Sequence, residues 1–408
     1  MKPQHVLTAT TAVSSLSTSL GSATPIPNIV SIPAEYTYLL PAGFQGNLTQ
    51  DFILTDVDDP TITALLSQAQ VAPFISYSAE FTNLLGSATL DTIVAPSDTD
   101  FPYSWAGEAG IWLPDLNQVW CTATYDRPAS LYIISLDTNT VTKFEGPLAG
   151  PAGGYYFNGT VYLALTGDAT GPAGVVAIDP RTHKVTPVVN SYFGLELPPV
   201  DDLVVTYTGG QKHMYFTSLS LDIFDLYIGR GAAVLPNAVW RFSPETRSLV
   251  PIIPRADVFS PNGIAANREF THLYVTDSSA TATVGGGAAY NMTSSPAIYR
   301  YDLSAEGTVS NKVLLGFARE GVPDGLKIDD HGRIWTAEYE GIVVRSPAGR
   351  VLGVFNKQVM LGTAEPTIEI TNFALAGDTL VVLAVDRVHT VTLTETVMEK
   401  GRFSVPGL

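Results

Sequence analysis

Two short stretches of this chain have residue types and spacing suited to chemistry. Ser260-Pro261-Asn262-Gly263-Ile264 runs into His272-Leu273-Tyr274-Val275-Thr276-Asp277, and Val322-Pro323-Asp324-Gly325-Leu326 runs into Ile334-Trp335-Thr336-Ala337. In each, a polar side chain stands between Pro and Gly, directly before an alternating apolar run. The flanking residues hold the backbone in a tight, non-helical approach, so Asn262 and Asp324 each project from the start of a strand. A single Pro-Asn-Gly or Pro-Asp-Gly is ordinarily just a turn. Used twice at strand starts, and arranged about a common axis, the two side chains point at one place.

The elements that would position them are short strands. Of 408 residues, 15% are charged and 45% hydrophobic, with 35 Gly and 28 Pro, the profile of many strands joined by tight turns. From Ser104 onward, four-strand sets recur. Gly110–Trp112, Gln118–Ala123, Leu131–Ile134 and Val141–Phe144 form the first. Gly154–Phe157, Val161–Leu165, Val175–Asp179 and Lys184–Val188 form the second. Further units start at Asp202, Asn262, Asp324 and Thr371. Six such units at this period predict an all-β fold, a six-bladed β-propeller over 101–408. Residues 24–100 form an N-terminal extension, from which Pro73–Tyr77 is the candidate to close the ring. Insertions at Ser218–Pro236 and Ser279–Ser295 are expected to cover one face.

The formal charge of −17, without a Lys/Arg cluster, argues against nucleic acid and anionic membrane as partners and leaves room for a cation. Cys121 is the single cysteine, so intrachain disulfides and cysteine metal sites are excluded. Residues 1–23 have the layout of a secretory signal, with an uncharged Val6–Ala23 rich in Ser and Thr. With acceptor triplets at Asn47, Asn158 and Asn291 they point to a secreted glycoprotein, the alternative being a cytoplasmic one. A monomer with no membrane span is expected. No His pair has metal-ligand spacing, and there is no nucleophile elbow or phosphate loop. Glu338-Tyr339-Glu340, after the fifth unit's second strand, and Arg127 are candidate substrate contacts.

With Leu235-Pro236-Asn237-Ala238-Val239-Trp240-Arg241-Phe242 and Gly107-Glu108-Ala109 added, the Asn262 and Asp324 units resemble the senescence marker protein and gluconolactonase family, which includes regucalcin and bacterial and fungal lactonases, over roughly 104–400. The resemblance implies a divalent cation in the central funnel, commonly Ca2+ and alternatively Mg2+, Zn2+ or Mn2+, held by Glu108, Asn262 and Asp324. Such hard oxygen ligands, two charged and one neutral, suit calcium or magnesium. Asp324 would also serve as general base. Where relatives carry Asn-Asp at the start of the third blade, this chain reads Val200-Asp201-Asp202-Leu203, so Asp201 brings a third carboxylate as a candidate catalytic and substrate-binding group. The implied activity is metal-dependent hydrolysis of lactones or related cyclic esters, small-molecule chemistry of secondary metabolism. Two alternatives stand beside it: a natural-product cyclase or isomerase in the same funnel, walled by the apolar 218–236 insertion, and a non-catalytic propeller used as a binding platform.

Overall fold

The computed structural model describes residues 27–39, 58–123, 128–219, 234–279, 295–362 and 368–405. Arg127, the triplets at Asn47 and Asn291, and most of both insertions lie outside them. Six antiparallel blades of four strands are arranged along the chain, each ordered from an inner first strand to an outer fourth; five are separate four-stranded sheets, and two further strands extend the fifth to six. The first blade comprises Glu108–Leu113, Gln118–Thr122, Leu131–Ser135 and Thr140–Lys143; the second, Pro151–Phe157, Thr160–Leu165, Gly174–Ile178 and Val185–Val189. The third is Val200–Thr208, Gln211–Ser218, Ala238–Ser243 and Ser248–Pro254, and the fourth is Pro261–Ala266, His272–Asp277, Ala297–Leu303 and Val309–Phe317. Leu326–Ile328, Ile334–Glu338, Gly341–Arg345 and Val351–Asn356 make the fifth. This is the six-bladed propeller that the repeats predict.

The sixth blade shows how the ring closes. It carries Phe373–Ala376, Thr379–Ala384 and Arg387–Thr392 from the end of the chain, and its fourth strand is Asp91–Val94, with Val94 opposite Val388. The expected closing segment, Pro73–Tyr77, is elsewhere: Phe74–Ser76 lies antiparallel to Val351–Asn356 on the outside of the fifth blade, with Ile29–Ser31 parallel beyond it. The reason is apolar content. Phe74 and Phe81 bring their rings edge-on to Phe355, at 5.5 and 5.3 Å, and Phe81 occupies the space that Gly353 leaves by lacking a side chain. Aromatic rings buried this way cover a sheet edge that would otherwise stand open. Asn356 joins the extension to the blade, its Nδ2 donating to the carbonyls of Ala69, Gln70 and Ala72 at the end of the Pro60–Val71 helix.

At the inner rim the first strands start with bulges. The pairing register between first and second strands shifts at Glu108/Ile111, Pro151/Gly154, Val200/Leu203 and Pro261/Ile264. A bulge re-aims the side chain next to it and strands a backbone N–H. Threonines on the second strands take up those groups. Thr217 Oγ1 accepts from Asp202 N (3.1 Å) and donates to Asn262 O of the next blade (2.6 Å). Thr276 Oγ1 accepts from Gly263 N (2.7 Å) and donates to Asp324 O (3.1 Å). Two other threonines join blades without taking up an N–H: Thr122 donates to Ala152 O (3.1 Å), and Thr371, just before the sixth blade's first strand, donates to Gly107 O (3.0 Å). Gly263 and Gly325 are needed there: a Cβ on Gly263 would lie 2.3 Å from Asp324 O, and one on Gly325 would lie 2.5 Å from the Asn372 amide carbon.

Thr276→Val keeps the shape of the side chain and leaves Gly263 N–H and Asp324 C=O without partners. It is expected to destabilise the protein by about 2–4 kcal/mol, read by denaturant unfolding, whereas Thr276→Ser costs much less. Equal effects of the two would show that the hydroxyl is not the joint.

Candidate active site

The bulged starts of the first strands bring together side chains from five blades. Glu108, Asp201, Asn262 and Asp324 come from the first, third, fourth and fifth, and Thr371 and Asn372 directly precede the first strand of the sixth. The second blade contributes Ala152 and Gly153, where a Cβ on Gly153 would lie 2.0 Å from Asp202 Oδ1. Glu108, Asp201 and Asp324 keep part of their surface accessible, while Asp202 and Asn262 are buried.

Hydrogen bonds fix what each group can do. Ser278 Oγ donates to Pro323 O (2.8 Å), a group that can only accept, so the same hydroxyl must accept from Asn262 Nδ2 (2.9 Å). The amide is thereby oriented, with its oxygen turned away from Ser278 and usable as a ligand or acceptor. Asp277 holds the approach to Asn262, its carboxylate taking the N–H groups of Phe259, Ser260 and Ser279. Asn372 lies between Glu108 and Lys327: its Nδ2 donates to Glu108 Oε2 (3.2 Å), and its Oδ1 accepts from Lys327 Nζ (3.1 Å). Lys327 Nζ also donates to Ala109 O (3.3 Å), and Ala109 holds a left-handed backbone, φ 74°, that a non-glycine residue adopts only at a cost. Among the described residues, none donates a hydrogen bond to the carboxylates of Asp201 or Asp324.

Electrostatically the cluster is frustrated. Burial raises the Asp201 and Asp324 carboxyls well above the ordinary range, and the charge of Glu108 pushes both further up. Glu108 is raised by burial and held down by its bond from Asn372 and by Lys327. Asp202 is pushed up to about 7, again by burial first, with Lys327 opposing. Burial in turn lowers Lys327. Of the four carboxyl groups, Glu108, Asp202 and Asp324 thus share one ammonium, and Asp201 has none. Such a set binds protons, or a cation, avidly.

Further along the axis, past Lys327, a cavity of about 40 Å³ is lined by Ile111, Leu203, Ile264, Lys327, Arg402 and Phe403. Its end is covered by the C-terminal segment. Arg402 pairs with Asp330 Oδ1 (2.9 Å) and donates to Ala266 O, and Phe403 packs against Trp112, Tyr155 and Tyr156.

The model of the SMP-30/Gluconolactonase/LRE-like region matches residues 106–385, most of the propeller. The chain belongs to that family. Lactonohydrolase oryH of Aspergillus oryzae is 24% identical over 391 aligned residues, which cover 78% of this chain and 82% of the relative. Among solved structures, a gluconolactonase from Xanthomonas campestris superposes with TM-score 0.60 at 18% identity, over 79% of this chain and 95% of that one. Regucalcin from Agrobacterium tumefaciens, a calcium-binding protein, gives 0.54 at 14% identity, over 76% and 95%. The family membership and these lactone-hydrolysing relatives make the chain a lactonase-type hydrolase by kinship.

Within this gluconolactonase-like frame, Glu108, Asp201 and Asp324 act on one another's charge, and Asn262 stands at the same inner rim, on the seam that Thr217 and Thr276 join. It sets Glu338 apart. That carboxylate is buried inside the fifth blade, paired with Arg345 (Nη2–Oε2 3.1 Å) and accepting from Thr336, so it is not available to substrate. Tyr339, in the turn that follows the strand, is half-buried with Lys357 Nζ 3.3 Å from its ring centroid. Glu369 feels both regions: its charge raises the Asp324 carboxyl, and its own carboxyl, raised by burial, is relieved by Lys357. Asp202, Lys327 and Asn372 are site residues that the sequence reading passed over. The available signal was Lys327 itself, a charge inside the otherwise apolar Leu326–Ile328 strand.

Two outcomes are expected. Because Asp202 titrates near 7 in the folded protein and near 4 when unfolded, the fold holds more protons between those values, and stability contributed below pH 4 is lost as pH rises toward 7. With chelator present, the melting temperature should fall over that window, and less steeply in Asp202→Asn; identical slopes would place Asp202 outside the cluster. Glu338→Gln breaks a buried pair and should cost about 3–5 kcal/mol with no change in KM; a raised KM in a folded variant would return Glu338 to the substrate site.

Proposed function

We propose that the chain is a divalent-cation-dependent hydrolase of lactones or related cyclic esters, with calcium the foremost candidate ion. The observation that carries the reading is the pair of carboxylates, Asp201 and Asp324, aimed with Glu108 into one place without a hydrogen-bond donor from the described residues. Among those residues, no three His, Cys, Asp or Glu side chains stand in ready-made metal-holding geometry. The donor set is nonetheless the one a hard cation prefers: carboxylates from several strands, one oriented amide oxygen, and excess negative charge that an ion would relieve. Glu108, Asn262 and Asp324 would hold it, with Asp201 beside them. The name of the calcium-binding neighbour and those of the lactonohydrolase and gluconolactonase relatives support ion and substrate class.

When bound, the cation would polarise the lactone carbonyl and stabilise the negative charge that develops on its oxygen. The residues of the chain supply the proton movements. Asp324, whose carboxyl is raised by burial and by the charge of Glu108, would be kept ionised by a bound cation and takes a proton from the attacking water as its oxygen bonds to the carbonyl carbon. As the ring C–O bond breaks, Asp201, whose proton is retained by burial and by the charge of Glu108, protonates the leaving alkoxide. Tyr339, with Lys357 at its ring, offers a contact for the substrate body.

The test is hydrolysis of a panel of sugar, aromatic and macrocyclic lactones, followed by chelation and calcium add-back. Activity should vanish and return, and Asp324→Asn should lower kcat/KM by about 10²–10⁴ while its melting temperature in chelator stays equal or rises, one repelling charge having been removed. Turnover that persists after complete cation removal would overturn the reading. Isomerised product, free of solvent oxygen, would transfer it to the cyclase alternative.

A further inference from the structure

Below the layer of candidate ligands runs a second polar layer that their chemistry does not use. It exists because two residues that follow the inner-rim positions lack side chains: Gly153 opens the space into which Asp202 extends, and Gly325 that into which Asn372 extends. Lys327 enters the same layer from the fifth blade.

The bonding of Asn372 has a direction. Lys327 Nζ is a donor only, so the atom 3.1 Å from it must be Oδ1, and the amide nitrogen then faces Glu108 Oε2 at 3.2 Å. The backbone N–H of Phe373 gives Oδ1 a second donor at 3.0 Å, which independently fixes the same orientation. Glu108 Oε2 is therefore engaged by an N–H whose orientation is set, through one amide, by an ammonium, and the Thr371 hydroxyl and the Ala109 N–H also bond to the same carboxylate. Thr371, the residue before Asn372, fastens the backbone beside Glu108 through Gly107 O (3.0 Å).

We propose that Lys327 and Asn372 act as one positioning unit for Glu108, fixing through Oε2 the orientation in which its carboxylate faces the cation. This rests on the cation reading above. Positioning partners of this kind fix ligand orientation, and losing one typically weakens metal affinity ten- to a hundredfold. A purely electrostatic role for Lys327 has the opposite sign: the ammonium repels a divalent ion, and its removal would tighten binding. Asn372 carries no charge, so its replacement isolates orientation from charge.

The experiment is calcium titration by calorimetry on the full chain and its variants, with melting in chelator as a check that each folds. Asn372→Ala is expected to weaken calcium binding ten- to a hundredfold. Asn372→Ser, whose hydroxyl can accept from Lys327 and donate to Glu108, recovers part of the loss. Lys327→Met is expected to weaken binding too, and the double variant to be no worse than the poorer single, as for groups acting in series. In chelator, the stability lost through Asn372→Ala should shrink in a Glu108→Ala background, a readout that needs no metal. Unchanged affinity in Asn372→Ala, or tighter binding in Lys327→Met with Asn372→Ala unaffected, overturns the positioning unit while the cation reading stands. An unmodified protein that takes up no calcium overturns the cation reading and this one with it, so the two failures are separable.

Discussion

The structure depends on a hydroxyl in the seam between blades. Each bulge at the start of a first strand re-aims a site residue and leaves a backbone N–H without its ladder partner. Thr217 and Thr276 take that N–H and pass their own proton to the carbonyl of the next blade's site residue, Asn262 and Asp324 respectively. One side chain thus satisfies the irregularity and sets the spacing of adjacent blades. The candidate ligands sit on this seam, so their mutual placement follows from backbone joints rather than from contacts among their own like-charged carboxylates, which would drive them apart.

That arrangement lets the fold carry a site that opposes folding. Raised carboxyl pKa values at Glu108, Asp201, Asp202 and Asp324 mean that their ionised forms are disfavoured in the folded state. The cost is offset elsewhere, in the continuous apolar packing of the inner strands and in the Phe74, Phe81 and Phe355 cluster that ties the N-terminal extension to the fifth blade. A site in which repulsion is tolerated is a site ready to gain from a ligand of opposite charge.

Much of this was legible in the sequence because backbone constraints leave marks. Pro-Asn-Gly and Pro-Asp-Gly recur because the neighbouring blade comes too close for any side chain at Gly263 and Gly325. The period of the repeats gave the number of blades. Contacts between blades leave no such mark. Lys327 reads as an outward residue of an alternating strand, and only the ring brings it to Asn372. Asp91–Val94 buries a single residue, Val94, and so lacks the apolar signal that made Pro73–Tyr77 look like the closing strand. Glu338 was misplaced because its partner, Arg345, lies across a hairpin, and only strand register shows that the pair closes inside the blade.

The C-terminal segment has a consequence for traffic along the axis. With Arg402 anchored to Asp330 and Ala266 O, and Phe403 wedged among Trp112, Tyr155 and Tyr156, the end of the axis beyond Lys327 is stoppered. Among the described residues, a molecule moving along the axis from that end would have to break the Arg402–Asp330 pair and dislodge Phe403 before it met the acidic cluster.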